Sequence, residues 1–563
     1  MINIRTMNKL DRDDELIKRV LINRGYDKDI IDALLETGYS NELPVYNDLT
    51  NVNIGADIIE SHIANGSTIY IFGDYDSDGV NSSYILGDAI NNIIYYTDSA
   101  ATINIKLPER SEGYGLNYKW CKSIVENKDN DILVITVDNG IAQDKEVAYL
   151  LENDIDVLIT DHHQPNGHTP KDVFIIDAFH NNDDINNKGL CGAGVAFKVA
   201  MTLLDRYNLE VRDDLYYKYL IHVAIATITD SMPMTIENIK YVYNGIQLLK
   251  DGYGSTAIDY FRTFNNNTDL VPKDIAFSLG PQINSCGRMN NTGLALDYLF
   301  ADEDDVEDLY NAIVNTNDER KAKTKKAIEI AEEMIEYKQP GIAIQLAEVE
   351  GIAGIIASHI SDKYNKCTVV FSQANDVLIG SARSEGFVNL LSVLKQIESE
   401  TDYIVKLGGH ANACGITIKR KYFNEFKELF YNKLNNILSS KPIETNSVIN
   451  VTVDDFITVA DINKDNCEAI RPLYFFTEST PVFAIKDVTI NKVKYSGNNP
   501  NNVQFFISDK YGSFSTWSWG IGDMYKALGE PKRVVLIAEL DTKFGKPALN
   551  IINIISQGDV SYE

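Results

Sequence analysis

Four short segments carry side chains able to hold hard cations: GDYDSDG (73–79), VDNG (137–140), TDHH (160–163) and ITDSMP (228–233). Carboxylates joined by one or two imidazoles suit Mn²⁺ or Mg²⁺ better than zinc, whose structural sites favour thiolates. A pair of ions about 3.5–4 Å apart needs a carboxylate to bridge them, and Asp138 is the candidate bridge. Each segment also has an ordinary reading. Three aspartates in GDYDSDG fit an Asx-rich turn or an isolated calcium loop. Asp138 and Asp161 fit helix caps, His162 a hydrogen-bonded core histidine, and Asp230 a helix-end charge. The conjunction of all four is what points to a metal centre.

To meet, these groups need a scaffold that gathers distant segments. From about residue 46 to 205, short Ile- and Val-rich runs alternate with helical stretches: TIYIFGD (68–74), TINIKLP (102–108), DILVITVD (131–138), DVLITD (156–161) and VFIID (173–177). This pattern predicts a parallel sheet buried on both faces, with its ligand beyond the carboxyl ends of the strands. Those ends are where the acidic and histidine residues lie. Residues 1–45 read as a cap of short helices, LIKRVLINRG ending at Gly25 and KDIIDALLETG repeating the pattern. The catalytic domain is expected over 46–250 and a helical connector over 251–338, ending in one long charged helix (301–338). A second α/β unit is expected over 339–440. Past KPIETNS (441–447) the pattern turns to β, predicting a small antiparallel barrel over 445–563.

Bulk properties narrow the setting. No stretch approaches the roughly 20 apolar residues of a membrane span, and the N-terminus has no apolar signal core, so a cytoplasmic protein is expected. The six cysteines (Cys121, Cys191, Cys286, Cys367, Cys414, Cys467) are scattered singly, which predicts reduced core thiols. With 52 Lys+Arg against 81 Asp+Glu, the net charge of −29 is the reverse of the basic footprint usual for nucleic-acid binders. Phosphate responds to the field within about 10 Å, so bound cations and local basic clusters can override that total.

The order of segments resembles the DHH phosphoesterase superfamily. Flanking text narrows the resemblance to its RecJ branch: LPERSEGYGL (107–116), LCGAGVAFK (190–198), PQINSCGR (281–288), GIAGIIASH (351–359), GSARS (380–384) and LGGHANACG (407–415). The resemblance implies a parallel-sheet DHH catalytic domain, a long connecting helix, a DHH-associated α/β domain and a C-terminal OB-like barrel. It implies hydrolysis of single-stranded DNA from the 5′ end with release of 5′-mononucleotides, in recombination, repair or replication. It also implies two divalent cations held by Asp76, Asp78, Asp138, His162 and Asp230, with Asp74 completing a shell or orienting a ligand. His163 is placed against the scissile phosphate. Substrate contacts fall to Arg288 and Arg383, to Ser381, to His410 in the glycine-rich GGHANACG, and to Arg110. Alone, each arginine would read as a structural ion-pair partner and His410 as a loop residue.

Two basic or aromatic features extend this reading. RKAKTKK (320–326) places five cations on the long helix, either a solvated face or a rail for phosphates. Phe505, Phe514, Trp517 and Trp519 are stacking candidates in the barrel, with alternation in FSTWSW setting Phe514 opposite the two tryptophans. Three departures stand out. Ser77 replaces the usual alanine, His359 the usual arginine, and IRPLYFFTESTPVF (470–483) lacks the glycine-rich turn that usually precedes the barrel. The alternatives are a short-oligonucleotide or cyclic-dinucleotide phosphodiesterase, and a replication scaffold of the same fold. No membrane partner is expected, and the sequence leaves open whether a helicase or single-strand-binding protein works beside the chain.

Overall fold

The computed structural model describes every residue except 1, 7–14, 28–30, 32–44, 129, 166, 265–269, 385–387, 441–448, 472, 474–479, 498, 544–545 and 563. KDIIDALLETG (apart from Ile31), the linker KPIETNS and most of 470–479 lie outside the described residues.

The chain opens with a strand, β1 (Ile2–Arg5), a correction to the purely helical reading of residues 1–45. The helix Leu16–Asn23 follows as expected, with Gly25 beyond it at φ +83°. The strand was hidden because it is four residues long and its partners lie more than four hundred residues away.

Strands β2 (Thr68–Phe72), β3 (Thr102–Lys106), β4 (Ile132–Val137), β5 (Asp156–Thr160) and β6 (Phe174–Ile176) form a parallel sheet in the order β3-β2-β4-β5-β6. All six residues of β4 are buried, which is why its sequence runs apolar without alternation. Helix Gly192–Leu204 is buried along its whole length, Lys198 included. That ammonium is matched by Asp48 at 2.6 Å and Glu237 at 2.8 Å, so its burial leaves no unpaired charge. The winding direction reverses between β2 and β4, and such a reversal opens a crevice at the carboxyl ends of the two strands. Helices Arg212–Thr229 and Ile236–Asp251 share the core of this unit. The long helix spans Val306–Glu333.

Beyond it, β7 (Ile342–Leu346), β8 (Thr368–Ala374), β9 (Val377–Arg383), β10 (Ile404–Gly409) and β11 (Ala413–Lys419) make a mixed sheet ordered β10-β11-β9-β8-β7. The C-terminal strands are β12 (Ile449–Thr452), β13 (Asp455–Ile457), β14 (Val482–Tyr495), β15 (Val503–Ser508), β16 (Ser513–Ser518), β17 (Arg533–Lys543), β18 (Lys546–Ser556) and β19 (Val560–Tyr562). An antiparallel path β16-β15-β14-β17-β18 carries β13 alongside β14, and β1 lies between β12 and β19. The expected barrel is not closed by a backbone ladder among the described residues. Its edge strands are linked instead by the Thr516 hydroxyl donating to the Leu549 carbonyl, 2.5 Å. The first helix is drawn onto this lobe by Arg19–Asp455 (2.7 Å) and Arg24–Asp454 (2.6 Å). All six cysteines are buried and none is in a disulfide. Among the described residues, no helix is long and apolar enough to cross a membrane.

Candidate metal centre

Three aspartates follow β2 directly, and the turn that carries them is set by glycine. A Cβ on Gly79 would fall 2.5 Å from the Asp74 nitrogen, so only glycine lets the helix Ser77–Thr97 start that close to the strand end. Asp76 caps this helix, its Oδ1 accepting from the Asp78 and Gly79 amides at 3.1 Å. Asp78 crosses to the start of helix Gly192–Leu204 and accepts from the Gly192 and Ala193 amides, both at 2.7 Å. Orphan amides at a helix N-terminus favour such an anion. Gly192 is again obligatory, since a Cβ there would lie 2.6 Å from that of Asp138.

Asp138, just past β4, has φ +60°. Left-handed backbone in a residue with a Cβ is uncommon, though Asp tolerates it better than most, and it recurs at functional sites. Next to it, Asn139 staples the strand ends together, donating to the carbonyls of Phe72 (3.0 Å) and Val137 (2.9 Å). From β5 comes the pair His162 and His163; from the end of helix Arg212–Thr229 comes Asp230.

These side chains converge. Ligand atoms lie within 4.8 Å of one another in three sets: Asp74, Asp76 and Asp138; Asp78, His162 and Asp230; Asp138, His162 and His163. Asp138 and His162 each belong to two sets, the arrangement a shared pair of ions needs. Fit to a cation shows in the carboxylates themselves. Asp74 Oδ1 and Asp138 Oδ1 are buried without a hydrogen-bond partner among the described residues. His162 Nε2 lies 3.0 Å from Asp138 Oδ1 but out of line for a hydrogen bond between them, so the two atoms are close without satisfying each other.

The electrostatics agree. Burial first, and then the neighbouring aspartate charges, push the carboxyls of Asp74, Asp76 and Asp138 above their ordinary range. Asp230 stands at the solvent-exposed mouth. Surrounding protein and the charges of Asp78 and Asp76 push it up to about 8, an effect that water at the mouth moderates. Carboxylates crowded in this way stay ionised together only beside positive charge. Burial lowers His162, keeping it neutral as a ligand must be. For His163 burial acts the same way but is outweighed by Asp161, which accepts from its Nδ1 at 2.8 Å and lifts it to about 9. Asp161 also accepts from the Ile141 and His162 amides (3.0 and 2.7 Å). Despite burial, its bond to His163 holds it below its usual range. The sequence offered Asp161 only as a helix cap; its place between β5 and the histidine pair was the available signal. Tyr114, also missed, donates to the Asp138 carbonyl at 3.2 Å.

A basic rim stands beside the acid centre. The Arg110 guanidinium lies 4.2 Å over the Tyr75 ring, with Nε buried and without a hydrogen-bond partner among the described residues. Arg288 donates to the Gly351 carbonyl at 3.2 Å, joining the two α/β units. Burial, with Arg110 and Arg320 nearby, pushes Arg288 down to about 10. Of the basic run, Arg320 turns inward onto Asn317, Lys321 pairs with Asp318 at 3.0 Å, and Lys323, Lys325 and Lys326 are exposed. On β9, Ser381 and Arg383 lie side by side over Gly354, where a Cβ would come 3.4 and 3.0 Å from them. His410 occupies an exposed hairpin turn, outside the three clustered sets. His359, also exposed, lies 3.9 Å from Glu332. In the C-terminal sheet Phe505 is core, fully buried, while Trp517 and Trp519 face outward, 40% and 54% exposed.

Residues 68–227 match the DHH family, N-terminal domain, and residues 341–439 the DHHA1 domain. The single-stranded-DNA-specific exonuclease RecJ of Bacillus subtilis (strain 168) is 27% identical over 537 residues, or 93% of this chain and 65% of that protein. This chain thus spans just under two thirds of that relative's length. The protein of the same name from Haemophilus influenzae is 27% identical over 465 residues, 79% of each chain. RecJ of Thermus thermophilus, solved in complex with Mn²⁺, shares the fold at a TM-score of 0.76 and 20% identity, over 98% of this chain and 79% of that one.

Proposed function

From a chain that belongs, by its DHH and DHHA1 domains and its relatives, to the RecJ-like branch of the DHH family, we propose a metal-dependent nuclease that degrades single-stranded DNA from its 5′ end. The observation that carries this reading is the sharing of Asp138 and His162 between sets of ligand atoms, beside carboxylates left without partners.

Asp74, Asp76 and Asp138 would hold one cation and Asp78, His162 and Asp230 the other. Two divalent ions, Mn²⁺ or Mg²⁺, when bound, acidify the attacking water and neutralise charge gathering on the phosphate. The protein's own groups do the rest. His163, kept cationic by Asp161, donates to a phosphate oxygen. Arg110 and Arg288 grip the phosphate on the near side, and Ser381, Arg383 and His410 meet it from the second lobe. In-line scission of the P–O3′ bond leaves a 3′-hydroxyl on the released 5′-mononucleotide and a 5′-phosphate on the shortened strand. The C-terminal lobe serves as an OB-like contact for the strand through its Trp517 and Trp519 face. The cellular setting is recombination, repair or replication.

The test is digestion of one single strand labelled at either end, in Mn²⁺, beside an Asp138→Ala control. Early release of the 5′ label by the wild type alone supports the reading. Early release of the 3′ label, or equal activity in the control, overturns it.

A further inference from the structure

Residues 272–288 run through Pro272–Asp274, a π-helical turn Ile275–Leu279 and the helix Gly280–Arg288. One side is core: Ile275, Leu279, Ile283 and Cys286 are fully buried. Helical spacing gathers a second stripe on the other side, Phe277, Pro281, Asn284 and Arg288, at steps of four, three and four residues. The far end of this stripe is anchored in the metal centre. Asn284 accepts from the Ser77 amide at 2.8 Å, between Asp76 and Asp78. Arg288 follows Gly287, which packs so closely on this loop that a Cβ there would fall 2.2 Å from the Tyr75 carbonyl oxygen. The near end is a phenyl ring, Phe277, 77% exposed.

A single exposed aromatic needs no explanation in general. Three features set this one apart. It sits on a π turn, a costly geometry that concentrates at functional sites. It shares a stripe with Asn284, which is hydrogen-bonded to the metal-binding loop, and with Arg288, whose neighbour Gly287 packs against that loop. And cations bracket it, Lys273 exposed one turn before and Arg288 after. Along the axis its Cα lies about 10 Å from that of Asn284 and about 16 Å from that of Arg288, at 1.5 Å per residue. A strand whose scissile phosphate lies at the acid centre and whose backbone follows this stripe would pass the ring within a few nucleotides.

We infer that Phe277 is a stacking platform for a base of the single strand, holding it a few nucleotides from the scissile phosphate while Lys273 and the arginine rim follow its backbone. The inference rests on the proposed function and adds a subsite to it. Every base has a π-face, so the platform is indifferent to sequence.

The test separates binding from hydrolysis. In an Asp138→Ala background, anisotropy of a fluorescent single strand of about twelve nucleotides should show Phe277→Ala weakening binding about five- to a hundredfold, the range of one lost base stack. Phe277→Trp should retain binding, and its indole emission should be quenched when strand is added. With Asp138 intact, the rise in KM caused by Phe277→Ala should be larger for that strand than for a 5′-phosphorylated dinucleotide. Unchanged binding in Phe277→Ala, no quenching in Phe277→Trp, or an equal loss on both substrates overturns the inference. A wild type that binds the strand but never cleaves it would sink the nuclease reading while leaving this subsite intact.

Discussion

The acid centre and the basic rim lie side by side but are built by opposite means. Every carboxylate of the centre is fixed by the parallel-sheet unit: strand ends, two helix starts and one helix end, with Gly79 and Gly192 allowing backbone and side chain to close up. The rim is drawn from four separate places, the turn after β3, the helix ending at Arg288, β9 and the β10–β11 hairpin. The centre is therefore set by one packed unit. The rim is divided between two units that meet at Arg288 and Gly351. Chemistry should depend on the first and substrate capture on the second.

The largest break in that division comes from Asp138→Ala. Removing the residue common to two ligand sets should lower kcat by on the order of a thousandfold or more, equivalent to several kcal/mol of transition-state stabilisation. Rates of nucleotide release in Mn²⁺, with Mn²⁺ binding followed by calorimetry, would check it. Arg288→Ala comes next, and it should act on capture. Losing a charge-assisted phosphate contact should raise KM by about 10- to 100-fold. Arg288→Lys should restore little, because a point charge cannot reproduce the planar fork. The slope of log KM against log salt should also fall by about one phosphate's worth. If Arg288→Ala instead lowered kcat alone, the division would be wrong.

The same contrast explains what the sequence made legible. Strand ends show themselves locally: apolar runs stopping at GD, VD and TD marked where acidic side chains would gather, and the reversal between β2 and β4 puts those ends around one crevice. Long-range pairing does not show itself in this way. Asp78 is held by the Gly192 and Ala193 amides, which lie more than a hundred residues away. LCGAGVAFK stood out by its resemblance, but neither the helix start within it nor the carboxylate its amides hold was visible. β1 failed for the same reason, its ladder closing onto β12 and β19. In the C-terminal lobe alternation separated Phe514 from Trp517 and Trp519 correctly. Closure of the sheet is a property of edge strands β16 and β18, and no local pattern encodes it.

Asp161 sharpens the boundary between the two regions, since it belongs to the buried sheet yet serves the phosphate side. Asp161→Asn keeps an acceptor for backbone amides but removes the charge that holds His163 cationic. The expected result is a fall in kcat of about tenfold, at the low end of what losing an outer partner costs, with Mn²⁺ affinity changed less. A larger loss of Mn²⁺ affinity than of kcat would move Asp161 into the metal's own support.

The smallest effect concerns the scaffold behind the centre. His222 lies inside the helix that ends at Asp230, with Asn81 at 2.7 Å and Ser255 at 3.3 Å. Burial, and then the nearby Lys218 charge, push it down to about 3. Its folded pKa is thus below its unfolded one, so the unfolded chain takes up the proton first. Stability contributed by the neutral ring is complete above about pH 6.5 and is lost as the pH falls from there toward 3. At pH 5 the loss should be on the order of 1 to 2 kcal/mol. Urea midpoints measured at pH 7.5 and pH 5 should therefore drop more for the wild type than for His222→Gln, while Mn²⁺ affinity at pH 7.5 stays alike in both. An identical drop in the two proteins would place acid sensitivity in the carboxylate cluster itself, and the scaffold could not then be separated from the centre it carries.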